Sequence, residues 1–348
     1  MRILSAASAF PAHHYSQNEL VEAFLRHWGD RLPDGRKLEL LHSNVGVESR
    51  FLSLPIDDYP GLTFGQANNV WIETAQNLGQ KAVCKAIRLA GLQHADPGAF
   101  FFVSVTGIAS PSIEARLINR MGLSRNIRRV PIFGLGCVAG AAGIARAADY
   151  VKAYPDQCAI LLSVELCSLT LQVDDLTVAN LISTGLFGDG AAAVIVAGDS
   201  YSQPGVDIIA TKSIFYPDTE RVMGWDISES GFRIVLSPEV PDVVAKNLGG
   251  DMDVFLGEHG LTRDDVGCWV LHTGGPKVLR ATQQALGVDE KALAASWDCL
   301  RRMGNLSSAS VLMVLEDTMM NRRPERGTWS VLAAMGPGFC SELVLLRW

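Results

Sequence analysis

Short apolar runs alternate with longer stretches of helical periodicity along most of the 348-residue chain. Ile3 to Phe10, Ala99 to Val105, Val130 to Leu135, Ala159 to Glu165 and Ala191 to Val196 have the length and composition of strands. Between them, Trp71 to Ala90, Ser112 to Met121 and the Ala-rich Val138 to Val151 carry apolar residues at helical spacing. Ser16, with Glu19 three residues on, predicts a capping box and a helix start. Past residue 210 the alternation resumes. A strand ends at His272, Pro276 to Leu286 and Ala309 to Met320 are helical, and strands flank a Gly336-Pro337-Gly338 turn. Such alternation predicts an α/β fold with a mostly parallel sheet covered on both faces. The two stretches share one grammar, and no Gly/Ser or charged linker parts them. They are therefore expected to be two halves, 1–203 and 204–348, packed as one body.

Composition narrows the classes. Hydrophobic residues make up 48% and charged residues 19%, enough for a large core and against disorder. A net charge of −7 disfavours a protein that coats nucleic acid. The 7 cysteines are scattered and form no CxxC pair, which speaks against a zinc knuckle or a thioredoxin-type site. Their pattern suits reduced thiols and a cytoplasmic protein. The segment Met1 to Pro11 is too rich in Ser and Ala for a signal peptide and predicts a strand instead. No apolar run approaches the roughly 18 residues of a membrane span.

The sharpest local signal is Phe133-Gly134-Leu135-Gly136-Cys137-Val138-Ala139-Gly140. An apolar strand ends, glycines permit a tight turn, and Cys137 opens a helix of small residues. Unpaired N–H groups and the positive end of the helix dipole favour thiolate there, and the same N–H groups can hold an oxyanion. A nucleophile and a buried packing cysteine both fit this segment. His272 ends the strand Trp269-Val270-Leu271 and precedes Gly274-Gly275-Pro276, the edge where α/β sheets collect ligands. A core histidine bonded to backbone fits equally. His13, His14, His27, His42, His94 and His259 lie in polar or turn-like stretches and are expected at the surface. Asn305 sits in Gly304-Asn305-Leu306-Ser307-Ser308 before an apolar helix, as an N-cap or as an amide donor.

Five motifs in order, GCVAGA at Cys137, LFGDGAAA from Leu186, HTGGPKVL from His272, GNLSSAS from Gly304 and MGPGF from Met335, resemble the type III polyketide synthases, the chalcone-synthase-like family. The shorter length is similar to bacterial alkylpyrone and alkylresorcinol synthases. The resemblance implies the thiolase fold, two duplicated α/β halves in five αβαβα layers, as a homodimer. It implies that Cys137 takes an acyl starter from coenzyme A, and that His272 pairs with the thiolate. His272 and Asn305 would together hold the thioester oxygen of malonyl-CoA as CO2 leaves. No metal or redox cofactor is implied. Phe187 matches the family's gatekeeper aromatic, and the second gatekeeper falls on Ile234. Val105, Ser110, Cys167, Thr170 and Ser307 match positions that shape the cavity. Val105 and Cys167 make it more apolar and suit a fatty acyl starter. The basic entrance cluster for CoA keeps Lys37 and Arg50, and an acyl carrier protein is an alternative donor.

Three other functions compete. A 3-oxoacyl-[acyl-carrier-protein] synthase III shares Cys, His and Asn but performs a single condensation. A papain-like hydrolase has the same residue order, yet its Cys signature is missing and its grammar differs. A non-catalytic thiolase-fold partner is marked by loss of Cys, His or Asn, and all three are present here.

Overall fold

The computed structural model describes residues 1–32 and 35–348. The first part runs β1 (Arg2–Ala9), β2 (His13–Ser16), α1 (Gln17–Trp28), α2 (Gly35–Ser43), β3 (Ser49–Leu52), α3 (Phe64–Leu89), β4 (Pro97–Val103) and α4 (Ile113–Met121). It continues with β5 (Arg128–Ile132), α5 (Ala139–Ala153), β6 (Cys158–Leu166), α6 (Val178–Leu186) and β7 (Asp189–Ala197). The second part runs β8 (Val206–Phe215), β9 (Met223–Ser228), β10 (Gly231–Leu236), α7 (Val240–Gly257) and β11 (Val266–Leu271). It closes with α8 (Pro276–Leu286), α9 (Ala294–Met303), α10 (Ser308–Asn321), β12 (Trp329–Gly336) and β13 (Cys340–Arg347).

Local chemistry explains the starts of the long helices. Ser16 and Glu19 form the expected capping box, with Ser16 N donating to Glu19 Oε2 at 2.7 Å. α3 begins at Phe64, ahead of the expected Trp71, because Thr63 and Gln66 build a second capping box there.

Among the described residues the main sheet has nine strands in the order β11-β12-β13-β8-β1-β7-β6-β4-β5. It is not mostly parallel, as the alternation predicted. Only β4 with β5, β4 with β6, and β11 with β12 are parallel; the other pairings are antiparallel. One reason is the Gly336–Gly338 turn, which returns β13 directly beside β12 as a hairpin. The series β1-β7-β6-β4 and β8-β13-β12-β11 repeat the same directions in the same order, antiparallel, antiparallel, parallel. That repetition is the duplicated pattern of the two halves.

Strand alternation then builds five layers. Phe100 and Phe102 of β4 face α3 together with Ile160 and Leu162. Their neighbours Phe101 and Val103 face inward, against Ala141 and Ile144 of α5 and Val311 and Leu315 of α10. The same inner core holds Leu332 and Val344 of the second half. Val331, Leu343 and Leu345 point the other way, onto Val244, Leu248 and Met252 of α7. Small residues let α5 and α10 lie close together at the centre. A Cβ on Gly140 would stand 2.2 Å from Ser308 O.

Candidate active site

The turn after β5 positions Cys137. Gly134 and Gly136 have φ of 95° and 55°, the left-handed region that glycine enters without strain. A side chain on Gly136 would also meet Pro337 at 2.8 Å. Gly136–Val138 then forms a 3-10 turn that leads into α5. Cys137 is buried there, 5% exposed. β12 carries the second component. Its Gly336 packs against Val138 N, while its Ala333 accepts the His272 N–H at 3.0 Å. One strand therefore references both the cysteine turn and the histidine. Asn305 lies between α9 and α10, and its Oδ1 accepts the Ser307 N–H at 2.8 Å. Ser307 is held at φ 46°, ψ −128°, a conformation that costs a non-glycine residue about 1–3 kcal/mol. Strain of this size is tolerated where the surroundings fix the site.

Burial acts on both titrating groups. Burial pushes the Cys137 thiol up to about 12, against the pull of the Ser307 and Asn305 side chains beside the sulfur. Burial likewise pulls His272 down to about 4. Desolvation thus opposes the thiolate that the helix start favours, and it favours a neutral imidazole. Both ring nitrogens of His272 are buried with no hydrogen-bond partner among the described residues. A buried imidazole without partners has its donor and acceptor free for a ligand and for a proton in transit.

Two cavities of about 40 Å³ matter here: His272 lines one with Met223, Val278 and Phe339, and the other is lined by none of Cys137, His272 and Asn305. Phe187, Ile234, Cys167 and Thr170 line this second cavity, together with Trp225, Tyr59 and Arg50. Phe187 is joined to the Asn305 loop by a backbone bridge, with Asn305 N donating to Leu186 O at 2.9 Å and Gly188 N to Asn305 O at 3.0 Å. Val105 and Ser307 are buried outside that lining. Ser110 is exposed on the single chain and does not line it. Lys37 is exposed on α2. Arg50 is not at a surface entrance: it is 1% exposed, and its guanidinium donates to Phe187 O at 3.2 Å and to Thr184 O. Burial pulls its pKa down to about 9, with Asp189 opposing. A guanidinium so placed cannot meet the phosphates of a nucleotide.

Two further groups escaped the sequence reading. Glu165 is fully buried and accepts from Val105 N at 3.1 Å, Thr106 Oγ1 at 3.0 Å and the Ser308 hydroxyl. Burial pushes it up to about 7, against those donors. An acid ending the otherwise apolar run AILLSVE is the signal that could have found it. His42, expected at the surface, is 1% exposed, with Nε2 3.1 Å from Leu181 O. Burial and the nearby Arg50 charge pull it down to about 3. Among the described residues no cluster of three or more His, Cys, Asp or Glu could hold a metal, and no helix is long and apolar enough to cross a membrane.

Comparison with known proteins adds to this geometry. Residues 1–200 match the family described as chalcone and stilbene synthases, N-terminal domain, and residues 207–348 match its C-terminal domain. The chain is 49% identical to a 1,3,6,8-tetrahydroxynaphthalene synthase of Streptomyces peucetius subsp. caesius, over 99% of this chain and 93% of that one. It is 37% identical to a putative chalcone synthase of Bacillus subtilis, over 99% and 98%. The crystal structure of the tetrahydroxynaphthalene synthase from Streptomyces coelicolor A3(2), described as a bacterial type III polyketide synthase, superposes with a TM-score of 0.95 at 34% identity, covering 100% of this chain and 99% of that one.

Proposed function

As the chain belongs to the chalcone and stilbene synthase family of type III polyketide synthases, we propose that Cys137, His272 and Asn305 carry out its acyl transfer and condensation. The observation that supports this reading is the pair of buried, partnerless His272 nitrogens on the strand that also meets the Cys137 turn, where the Asn305 side chain lies beside the sulfur. The family needs no cofactor beyond its coenzyme A thioester substrates.

The neutral imidazole takes the Cys137 proton, and the sulfur attacks the carbonyl of acyl-CoA. The tetrahedral species expels the CoA thiolate, which leaves with the proton from His272. Malonyl-CoA then loses CO2, and the electron pair of the broken C–C bond becomes an enolate. His272 and the Asn305 NH2 group, whose oxygen is already engaged by Ser307, donate to the enolate oxygen. The enolate carbon attacks the acyl-Cys137 carbonyl and displaces the sulfur. The extended chain returns to Cys137 for the next round. Decarboxylation supplies the carbanion, so no strong base is needed.

For the starter, a fatty acyl chain giving an alkylpyrone or alkylresorcinol is supported by the aliphatic Ile234 and by Leu20, Phe24 and Leu171 on the cavity wall. The cavity's 40 Å³ is too small for a long tail. Such a tail would have to pass Phe24 and Leu171 into the adjoining 260 Å³ hollow that shares those residues. A second reading builds an aromatic product from malonyl units alone. It is favoured by that small volume and by the 49% identity to a tetrahydroxynaphthalene synthase. Incubation with malonyl-CoA alone, and with acyl-CoA or acyl-carrier donors of graded length, decides by product mass. Incorporation of the acyl group supports the first reading, and a polyhydroxylated aromatic from malonyl-CoA alone supports the second. A single-extension β-ketoacyl thioester from every donor overturns both. We place the enzyme as a homodimer in the cytoplasm; its seven free cysteines fit a reducing compartment.

A further inference from the structure

The C-terminus of α6 ends without the left-handed glycine that usually closes a helix. Its cap is Phe187, held extended at φ −86°, ψ 142°. The last carbonyls therefore need donors from elsewhere in the molecule. Each one finds a donor. Ser183 O accepts from Phe187 N at 3.0 Å, Thr184 O from Arg50, and Gly185 O from Gln17 Nε2 at 2.9 Å. Leu186 O accepts from Asn305 N at 2.9 Å, and Phe187 O from Arg50 Nη1 at 3.2 Å. Arg50 and Gln17 are both buried, and a cation at this helix end also meets the negative pole of its dipole. Gln17 is held in turn, its Nε2 also reaching His42 O at 3.3 Å. The ring of His42 fills the space beside Gly185, where a Cβ would meet it at 2.7 Å.

We propose that Arg50 and Gln17 are positioning residues that fix the Phe187 ring and the Asn305 amide as one unit, and thereby set how far the chain grows before release. The bridge between Phe187 and Asn305 transmits a shift of the helix end to both. The inference rests on the roles proposed above for those two residues. It also replaces the coenzyme A contact that the sequence suggested for Arg50.

The test uses the full-length enzyme with Gln17→Ala, Arg50→Lys and Arg50→Met. It follows malonyl-CoA decarboxylation, the KM for malonyl-CoA and the masses of all released products. Misplacement of the amide and ring is expected to lower kcat about tenfold. The released products should shift toward shorter chains, with KM for malonyl-CoA nearly unaltered. Unaltered product masses together with a lower melting temperature would reduce the cap to a purely structural role. A raised KM with unaltered kcat in the Arg50 variants would restore the coenzyme A contact and overturn the proposal. Where the Arg50 variants fail to fold, Gln17→Ala decides alone, since it removes one neutral donor. Wild-type enzyme that forms no extended product overturns the underlying roles as well.

Discussion

Cys137 and Glu165 are two acids on which burial acts in the same direction, with different consequences. Burial favours the protonated thiol, so the mechanism proposed above begins with a proton transfer to His272. Cys137→Ala should abolish product formation while circular dichroism and melting temperature stay near wild type, because the start of α5 accepts Ala; residual chain extension would remove the sulfur from the mechanism. Glu165 is instead met by hydrogen-bond donors from Val105 N, Thr106 and Ser308. Its folded pKa is raised from 4.5 to about 7. The folded state thus keeps a proton that the unfolded chain has released, and this contribution is complete below about pH 4.5 and lost as pH rises through about 7. The penalty is on the order of 3 kcal/mol at about 1.4 kcal/mol per pH unit. Glu165→Gln should therefore melt higher than wild type at pH 8 and lose that advantage by pH 5. A difference independent of pH would show that the carboxyl is not the titrating group.

At the scale of elements, α5 and α10 cross where Gly140 meets Ser308 O. Gly140→Ala would place its methyl 2.2 Å from that oxygen and 2.7 Å from Val311 Cγ1. The overpacking should cost about 1–3 kcal/mol. It should also depress turnover, because Ser308 adjoins Ser307 and Asn305; normal kcat in a variant with lowered melting temperature would separate the crossing from the site. The legibility of the elements follows from their chemistry. β4, β6, β7 and α5 are buried on both sides and announce themselves as apolar or small-residue runs. β8 hides because Asp207, Thr211, Lys212 and Ser213 interrupt it on a half-exposed sheet. α7 hides behind Pro241, Gly249 and Gly250. Cys137, His272 and Asn305 stand out in the sequence because each lies within two residues of a glycine at the end of an element. Arg50 and His42 do not, since their partners Thr184 and Leu181 lie 134 and 139 residues away and only the fold brings them together.

At the scale of the whole molecule, the two halves share a core rather than a boundary. β1 and β8 touch edge to edge through Arg2 with Asp207 and Ile3 with Val206, extended by Ile208 N donating to Met1 O at 2.9 Å. That seam is too short to join them. The central layer joins them instead: Ala6, Phe101, Leu161 and Val194 from the first half bury the same α5–α10 pair as Val270, Leu332 and Val344 from the second. Either half alone would expose that inner face to water, at roughly 25 cal/mol for each Å² of apolar surface. The division at 203/204 is therefore expected to mark a repeat of topology and not a unit of stability. Calorimetry of the intact chain should give one transition, with Leu332→Ala lowering it as a whole. A fragment of residues 1–203 should bind a hydrophobic dye and melt without cooperativity. Two resolved transitions, or a fragment that melts cooperatively by itself, would make the halves independent domains and would detach His272 and Asn305 from the stability of the helix that carries Cys137.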